Sequence, residues 1–287
     1  MTETTVLLGL FDGLHRGHMS AVNELLRHGG RKVVYTFDSL SLSTKGGRGL
    51  LMTDDEKRRA LLNLGVDEVI SRDFSDIKDV EPRDFVEKIL LGELSATRAV
   101  CGENFRFGRG GQADPQVLSS ICREFNIETV IVPTVCSGGE AISTTRIRRL
   151  IEQGEILEAN ELLGYAYGFE GEIIHGDRVG TQMGIKTVNI AFDPQRVLPK
   201  RGVYMSQVTL EGETYRGVTN VGTRPTVHDD GMVVIETHIL DFHGEVYGET
   251  ARVGLMRFMR EEKRFGSLEE LRETVANDIQ LVKNYVK

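Results

Sequence analysis

Cysteine is scarce: the 287 residues hold three, Cys101, Cys122 and Cys136. An odd number without metal-ligand spacing excludes a disulfide framework and leaves reduced thiols as the expectation. A basic excess is missing too. With 35 Lys and Arg against 43 Asp and Glu the net charge is −8. Divided near Tyr165, the chain carries −5 before and −3 after, so neither half is a basic arm for nucleic acid. No apolar run approaches membrane length, and the N-terminus lacks a basic stretch followed by a cleavage site. A soluble, cytoplasmic protein with neither nucleic-acid nor membrane partners is expected, and a homo-oligomer stays open. There is no internal repeat, and low complexity is confined to SLSLSTKGGRG after Phe37.

The length suits two domains, each able to bury its own core. Up to about residue 165, apolar strand candidates alternate with amphipathic helix candidates. The strands are Val6–Leu10, Lys32–Phe37, Glu68–Ile70, Ala99–Cys101 and Glu128–Val132, and the helices include DDEKRRALLNLG and PRDFVEKILLGEL. That order predicts an α/β doubly wound parallel sheet over residues 1–165. Near Leu163 to Tyr167 the helical pattern gives way to closely spaced strands: FEGEIIH, TVNIAF, VYMSQVTL, YRGVTNV, VVIETHIL and ARVGLMRFM. They predict a small antiparallel β-barrel over residues 166–287, followed by a C-terminal helix with Ser267 as N-cap and Glu270 completing a capping box.

Chemistry concentrates first in GLFDGLHRGH, Gly9 to His18. The segment lies between an apolar strand and the periodic helix HMSAVNELLRH, where free backbone N–H groups and the helix dipole favour a phosphate. Gly13 and Gly17 let the main chain approach it, and His15 and His18, three apart, can both face it. Two imidazoles there can donate to charge growing on an α-phosphoryl group, as adenylyl transfer from ATP requires. With seven His and 32 Gly in the chain, chance supplies roughly 0.02 HxGH matches.

ISTTRIRRLI, Ile142 to Ile151, pairs hydroxyls with arginines at a second helix start. Ser143, Thr144 or Thr145 can cap it, and Arg148 can hold β- and γ-phosphates. Alone this reads as an ordinary capped helix; beside the first motif it reads as triphosphate binding. With Gly9, Phe11 and Gly17 these residues form the expected ATP/phosphate-binding set.

HxGH followed one domain later by this Ser/Thr-rich helix start resembles the nucleotidyltransferase superfamily. The segments GENFRFGRGG, GVTNVGTRPT, ETHILDFHGEVYG and REEKRFGSLEEL narrow the match. From about Val6 to the C-terminus the chain is similar to the prokaryotic bifunctional riboflavin kinase/FMN adenylyltransferase, or FAD synthetase, family. That resemblance implies ATP-dependent phosphorylation of riboflavin to FMN in the barrel, then adenylylation of FMN to FAD with pyrophosphate release in the first domain. It implies Glu236 as the base for the riboflavin hydroxyl. Through GIKTVNI, matching the family's GFPTANI, it implies Thr187 and Asn189 as ligands of Mg²⁺ with ATP. It also implies Asn104 as a flavin contact, with Phe107 either a stacking face or core. For the loop after Phe37, mobility without function and a flavin-covering role are both open.

The chain departs from the pattern at several points. Lys186 replaces proline, Val188 replaces alanine, Leu10 stands where Asn is frequent, and Asp38-Ser39-Leu40 replaces a proline-containing segment. Lysine frees φ and adds an N–H just before Thr187. A monofunctional FMN adenylyltransferase with a silent barrel is therefore the alternative, and a flavin-nucleotide sensor without turnover a more distant one.

Overall fold

The computed structural model describes residues 3–39, 49–174, 187–223, 233–242, 244, 246 and 248–285. Contacts divide the chain into two compact units, Met1–Arg146 and Ile147–Lys287.

In the first unit, β1 (Thr4–Leu8), β2 (Arg31–Phe37), β3 (Glu68–Arg72), β4 (Arg98–Gly102) and β5 (Glu128–Val132) form one parallel sheet in the order β3-β2-β1-β4-β5. All five residues of β1 are buried, as a central parallel strand covered on both faces requires. Alternate residues of β1 serve different cores. Val6 and Leu8 join a cluster with Phe85, Leu90 and Leu118, whereas Leu7 joins one with Val22, Leu25 and Leu61. The helices α1 (Arg16–Leu26), α2 (Asp54–Asn63) and α3 (Pro115–Glu124) supply those layers.

Local chemistry sets the helix starts. Thr53 and Glu56 make a reciprocal capping box at α2, and Asp114 caps α3 by accepting from Val117 N. The predicted helix PRDFVEKILLGEL is helical for Pro82–Asp84 and then a π-helix over Phe85–Glu93. The five-residue step between buried Phe85 and Leu90 matches that wider turn.

The second unit opens with α4 (Thr144–Gln153), whose first three residues belong to the preceding unit, and continues with α5 (Ile156–Leu163). The change to strand pattern falls near residue 165, but α5 is tied to the strands that follow. Asn160 Nδ2 donates to Leu255 O at 2.8 Å, and its Oδ1 accepts from Tyr167 N at 2.8 Å.

Six strands close into a barrel ordered β10-β11-β12-β9-β8-β13. Besides the two-residue β6 (Cys136–Ser137) and β7 (Glu140–Ala141) of the first unit, these are β8 (Gly168–Ile174), β9 (Val188–Ala191), β10 (Gly202–Leu210), β11 (Glu213–Thr223), β12 (Val233–Ile239) and β13 (Thr250–Arg260). The barrel interior holds a hydroxyl chain: Thr219 Oγ1 donates to Ser206 Oγ at 2.7 Å and lies 2.9 Å from Thr237 Oγ1. Helix α6 (Leu268–Asn284) packs on the barrel through Val282 and Ile279 against Val203, Met205 and Val218.

Ser267 caps α6 as expected, accepting from Glu270 N at 3.2 Å. The return half of the box differs. Glu270 accepts from Gly266 N at 2.9 Å, one residue earlier, while Lys263 Nζ lies 2.6 Å from its other oxygen.

At the seam of β8 and β13, Gly168 faces Gly254, and a Cβ on Gly168 would stand 2.0 Å from Val253 O. No side-chain rotation relieves a clash with backbone. Gly168→Ala is therefore expected to destabilise the barrel by about 3 kcal/mol or more, read as a lower midpoint for the second unit in chemical denaturation. An unchanged midpoint would refute this close approach.

Candidate active sites

In the first unit a cavity of about 470 Å³ opens at the carboxyl ends of β1, β4 and β5. Gly9, Leu10 and Phe11 line it after β1, Asn104, Phe105 and Arg106 after β4, and Ser143, Thr144 and Thr145 at the start of α4. Ligands of doubly wound sheets gather where strand order reverses, and here the reversal lies between β1 and β4.

The turn leading into α1 is strained. Phe11 and Leu14 have φ of 57° and 37°, in the left-handed region that non-glycine residues seldom occupy, and Gly13 has φ of 80°. Buried Asp12 holds the turn by accepting from Leu51 N at 3.0 Å and Met52 N at 3.2 Å. Gly17 leaves room for the His15 ring, since a Cβ there would lie 3.1 Å from it and would press the ring to shift.

His15 is the N-cap of α1, its Nδ1 accepting from His18 N at 3.2 Å. That bond leaves the neutral ring's proton on Nε2. The two imidazoles stack, with centroids 3.6 Å apart and planes 14° from parallel, and the Phe11 ring meets His18 edge-on at 5.5 Å. His18 Nδ1 is buried without a hydrogen-bond partner among the described residues.

Burial pushes the His15 pKa down to about 4 against a smaller opposing effect of its backbone bond. Burial, then the neighbouring His15 and the Lys57 ammonium, hold His18 well below the ordinary histidine range. Both rings are thus neutral at pH 7, each with one N–H to offer an anion.

The structure brings Gly9, Phe11, His15, Gly17, His18, Asn104, Ser143, Thr144 and Thr145 to one cavity. Arg148 falls in the second unit and is not among the lining residues. Phe107 does not face the cavity: it is 6% exposed, sits in the core and packs on Phe85 at 5.4 Å. The ring on the cavity wall is Phe105, stacked on Phe107 at 5.7 Å. Alternation about Arg106 carried no sign of which phenylalanine turns inward.

The second unit has its own cavity, about 210 Å³, between the barrel wall and α6. Register places Asn189, Glu236 and Asn220 on one rung across β9, β12 and β11. Directly opposed residues share a face. Thr187 Oγ1 donates to Glu236 Oε1 at 2.8 Å. Glu236, Thr187, Asn220 and His238 line the cavity; Asn189 is 3% exposed, and its Nδ2 has no partner among the described residues. Arg260 and Asp278 form the opposite wall, with Arg260 Nη2 donating to Asp278 Oδ2 at 2.8 Å. This pair escaped the sequence reading, because an Arg on a strand and an Asp on a helix 18 residues on carry no joint signal. Lys186 and the loop at 40–48 lie outside the described residues.

A doubly wound domain with paired histidines at its switch point, joined to a closed barrel with a Thr–Glu pair at its wall, defines a two-module transferase of the nucleotidyltransferase and flavokinase type. Residues 1–146 match the FAD synthetase family and residues 163–286 the riboflavin kinase family. The bifunctional riboflavin kinase/FMN adenylyltransferase of Listeria monocytogenes is 34% identical over 95% of this chain and 89% of its own. Its counterpart from Escherichia coli K12 is 33% identical over 94% and 89%. A solved Streptococcus pneumoniae structure described as a macrolide-efflux protein superposes with a TM-score of 0.88 at 28% identity, covering 99% of this chain and 95% of that one. Among the described residues no helix is long and apolar enough to cross a membrane. The chain belongs to the bifunctional riboflavin kinase/FMN adenylyltransferase family.

The buried imidazole makes a pH prediction. A histidine with a depressed folded pKa binds its proton more readily unfolded, so its stabilising effect is complete above about 6.5 and is lost as pH falls toward about 4. For His15 the loss is on the order of 3 kcal/mol. His15→Asn keeps an N-cap acceptor but removes the titration. Urea unfolding of the first unit at pH 7.5 and 4.5 should show a smaller acid loss in the variant than in the parent, with His18 contributing its own part in both. Equal losses would rule out the neutral His15.

Proposed function

We infer that this chain makes FMN and then FAD. Riboflavin and ATP give FMN and ADP at the barrel cavity, and FMN and ATP give FAD and pyrophosphate at the doubly wound domain. The observation that carries this reading is the presence of both sites in one chain: the stacked His15–His18 pair and the Thr187–Glu236 pair. Matches to both families, with relatives named for both activities, favour it over a monofunctional adenylyltransferase.

In the first domain a phosphate oxygen of FMN attacks the α-phosphorus of ATP, and the bond to the β-phosphate oxygen breaks, releasing pyrophosphate. His15 and His18 donate N–H groups to oxygens that gain charge in this transfer. Polyphosphate in the cavity opposes the effect of burial and raises both imidazole pKa values, strengthening those donors. The backbone N–H groups at the starts of α1 and α4, with Ser143, Thr144 and Thr145, hold phosphates. Arg148 is assigned to the β- and γ-phosphates by its motif alone. Asn104 contacts the flavin, and Phe105 replaces Phe107 as the ring offered to it.

In the barrel Glu236 takes the proton from the riboflavin 5′-hydroxyl as its oxygen attacks the γ-phosphorus, with ADP leaving. The Thr187 hydroxyl donates to Glu236 Oε1, which orients the carboxylate. Thr187 and Asn189 fit Mg²⁺ by the chemistry of their donors: a hydroxyl oxygen and an amide oxygen, both hard, with the Glu236 carboxylate beside Thr187. Bound there with ATP, the metal would supply charge neutralisation for the phosphates. The substrates are small molecules, and the place of work is the cytoplasm.

His18→Ala should lower FAD formation by about 10²-fold or more while FMN formation from riboflavin persists. Glu236→Gln should do the reverse, lowering riboflavin phosphorylation by about 10²-fold or more and sparing adenylylation of supplied FMN. Chromatographic product analysis with riboflavin, then FMN, each with ATP and magnesium, reads both. Loss of both activities in either folded variant would contradict separate sites.

A further inference from the structure

Beneath the larger cavity lies a charge that the transfer chemistry does not use. Lys57, on α2, is 2% exposed. Its ammonium stands 2.8 Å from Asp54 Oδ1 and donates to Leu10 O at 3.3 Å, Phe37 O at 3.2 Å and Ser39 Oγ at 3.5 Å. Asp54 is held in turn by Ser39, whose N and Oγ donate to its two oxygens at 3.0 and 2.7 Å. Burial alone would raise the Asp54 carboxyl, yet hydrogen bonds from Lys57 and Ser39 and the Lys57 charge keep it below its ordinary value.

Three segments therefore converge on one buried cation: the residue that follows β1 by two positions, the last residue of β2, and the first turn of α2. Leu10 and Phe37 both line the cavity. The Leu10 carbonyl is held twice, because Thr36 Oγ1 also donates to it at 3.0 Å. Leu10 immediately precedes Phe11, whose strained backbone places its ring against His18.

A buried ion pair is weak evidence of stabilisation, since desolvation offsets much of the attraction and apolar replacements often serve as well. What an apolar residue cannot do is pair with Asp54 and at the same time donate to the Leu10 and Phe37 carbonyls of two separate segments. On the adenylyl-transfer reading above, we propose that Lys57 is a positioning residue for that reaction: it fixes the Leu10 carbonyl, and through Phe11 the His15–His18 pair, without touching the nucleotide.

The test compares the parent with Lys57→Met and with Lys57→Met/Asp54→Asn in the full chain. For Lys57→Met, kcat for FAD formation from FMN and ATP should fall about tenfold or more, with KM for both substrates within about twofold. FMN formation from riboflavin should be unchanged. The single variant strands the Asp54 carboxylate, so the first unit's unfolding midpoint should drop. The double variant removes that carboxylate, and its midpoint should return toward the parent's while kcat stays low. Recovery of kcat together with the midpoint would mark Lys57 as merely structural and overturn the proposal, as would full kcat in a folded single variant. A parent enzyme that forms FMN but no FAD would instead overturn the adenylyl-transfer reading, and this proposal with it.

Discussion

The reversal of strand order at β1 is the constraint on which the first domain rests. From β1 the chain winds outward through β2 and β3, then returns to lay β4 on the other flank of β1. Connections leaving β1 and β4 must run in opposite directions, so a crevice opens above their carboxyl ends. The helix starts that face it have N–H groups with no partner in their own helices. An anion site follows from topology, and the sequence there only has to refine it. Gly17 clears space beside the His15 ring, and Asp12 fastens a turn that takes strained angles to set that ring in place.

The two sites handle charge in opposite ways. In the doubly wound domain buried imidazoles are kept neutral in the absence of substrate, so the protein does not bury unpaired positive charge that only phosphate could offset. In the barrel a carboxylate sits on an outer wall, against a helix that leaves it partly open, with a hydroxyl already aimed at it. Barrel interior and barrel wall are chemically distinct: Ile235, Thr237 and Ile239 point into the packed core, while Glu236 and His238 alternate outward into the cavity.

Much of the fold was legible because periodicity is written in neighbouring residues. The runs from Val6, Lys32, Ala99 and Glu128 became parallel strands, and the six closely spaced strands became the barrel. The histidine turn was legible for the same reason: cap, glycine and second histidine lie within one turn of chain. Phe107 was not, since FRF offers two rings two positions apart, and only packing against Phe85 decides which is core. Lys57 was hidden more completely. In DDEKRR it reads as one more solvated cation paired with Asp54, and its burial depends on carbonyls from 20 and 47 residues away.

The sequence by itself determined the order of elements, the chemistry of the HxGH turn and the kinship of both halves, because each is encoded in short-range pattern and spacing. Tertiary structure alone decided that His15 and His18 stack as neutral rings, that Asn189, Glu236 and Asn220 share a rung, and that Arg260 pairs with Asp278 on one wall of the second cavity. Those facts depend on desolvation and strand register, which arise only when residues far apart in the chain are brought together and water is removed from between them.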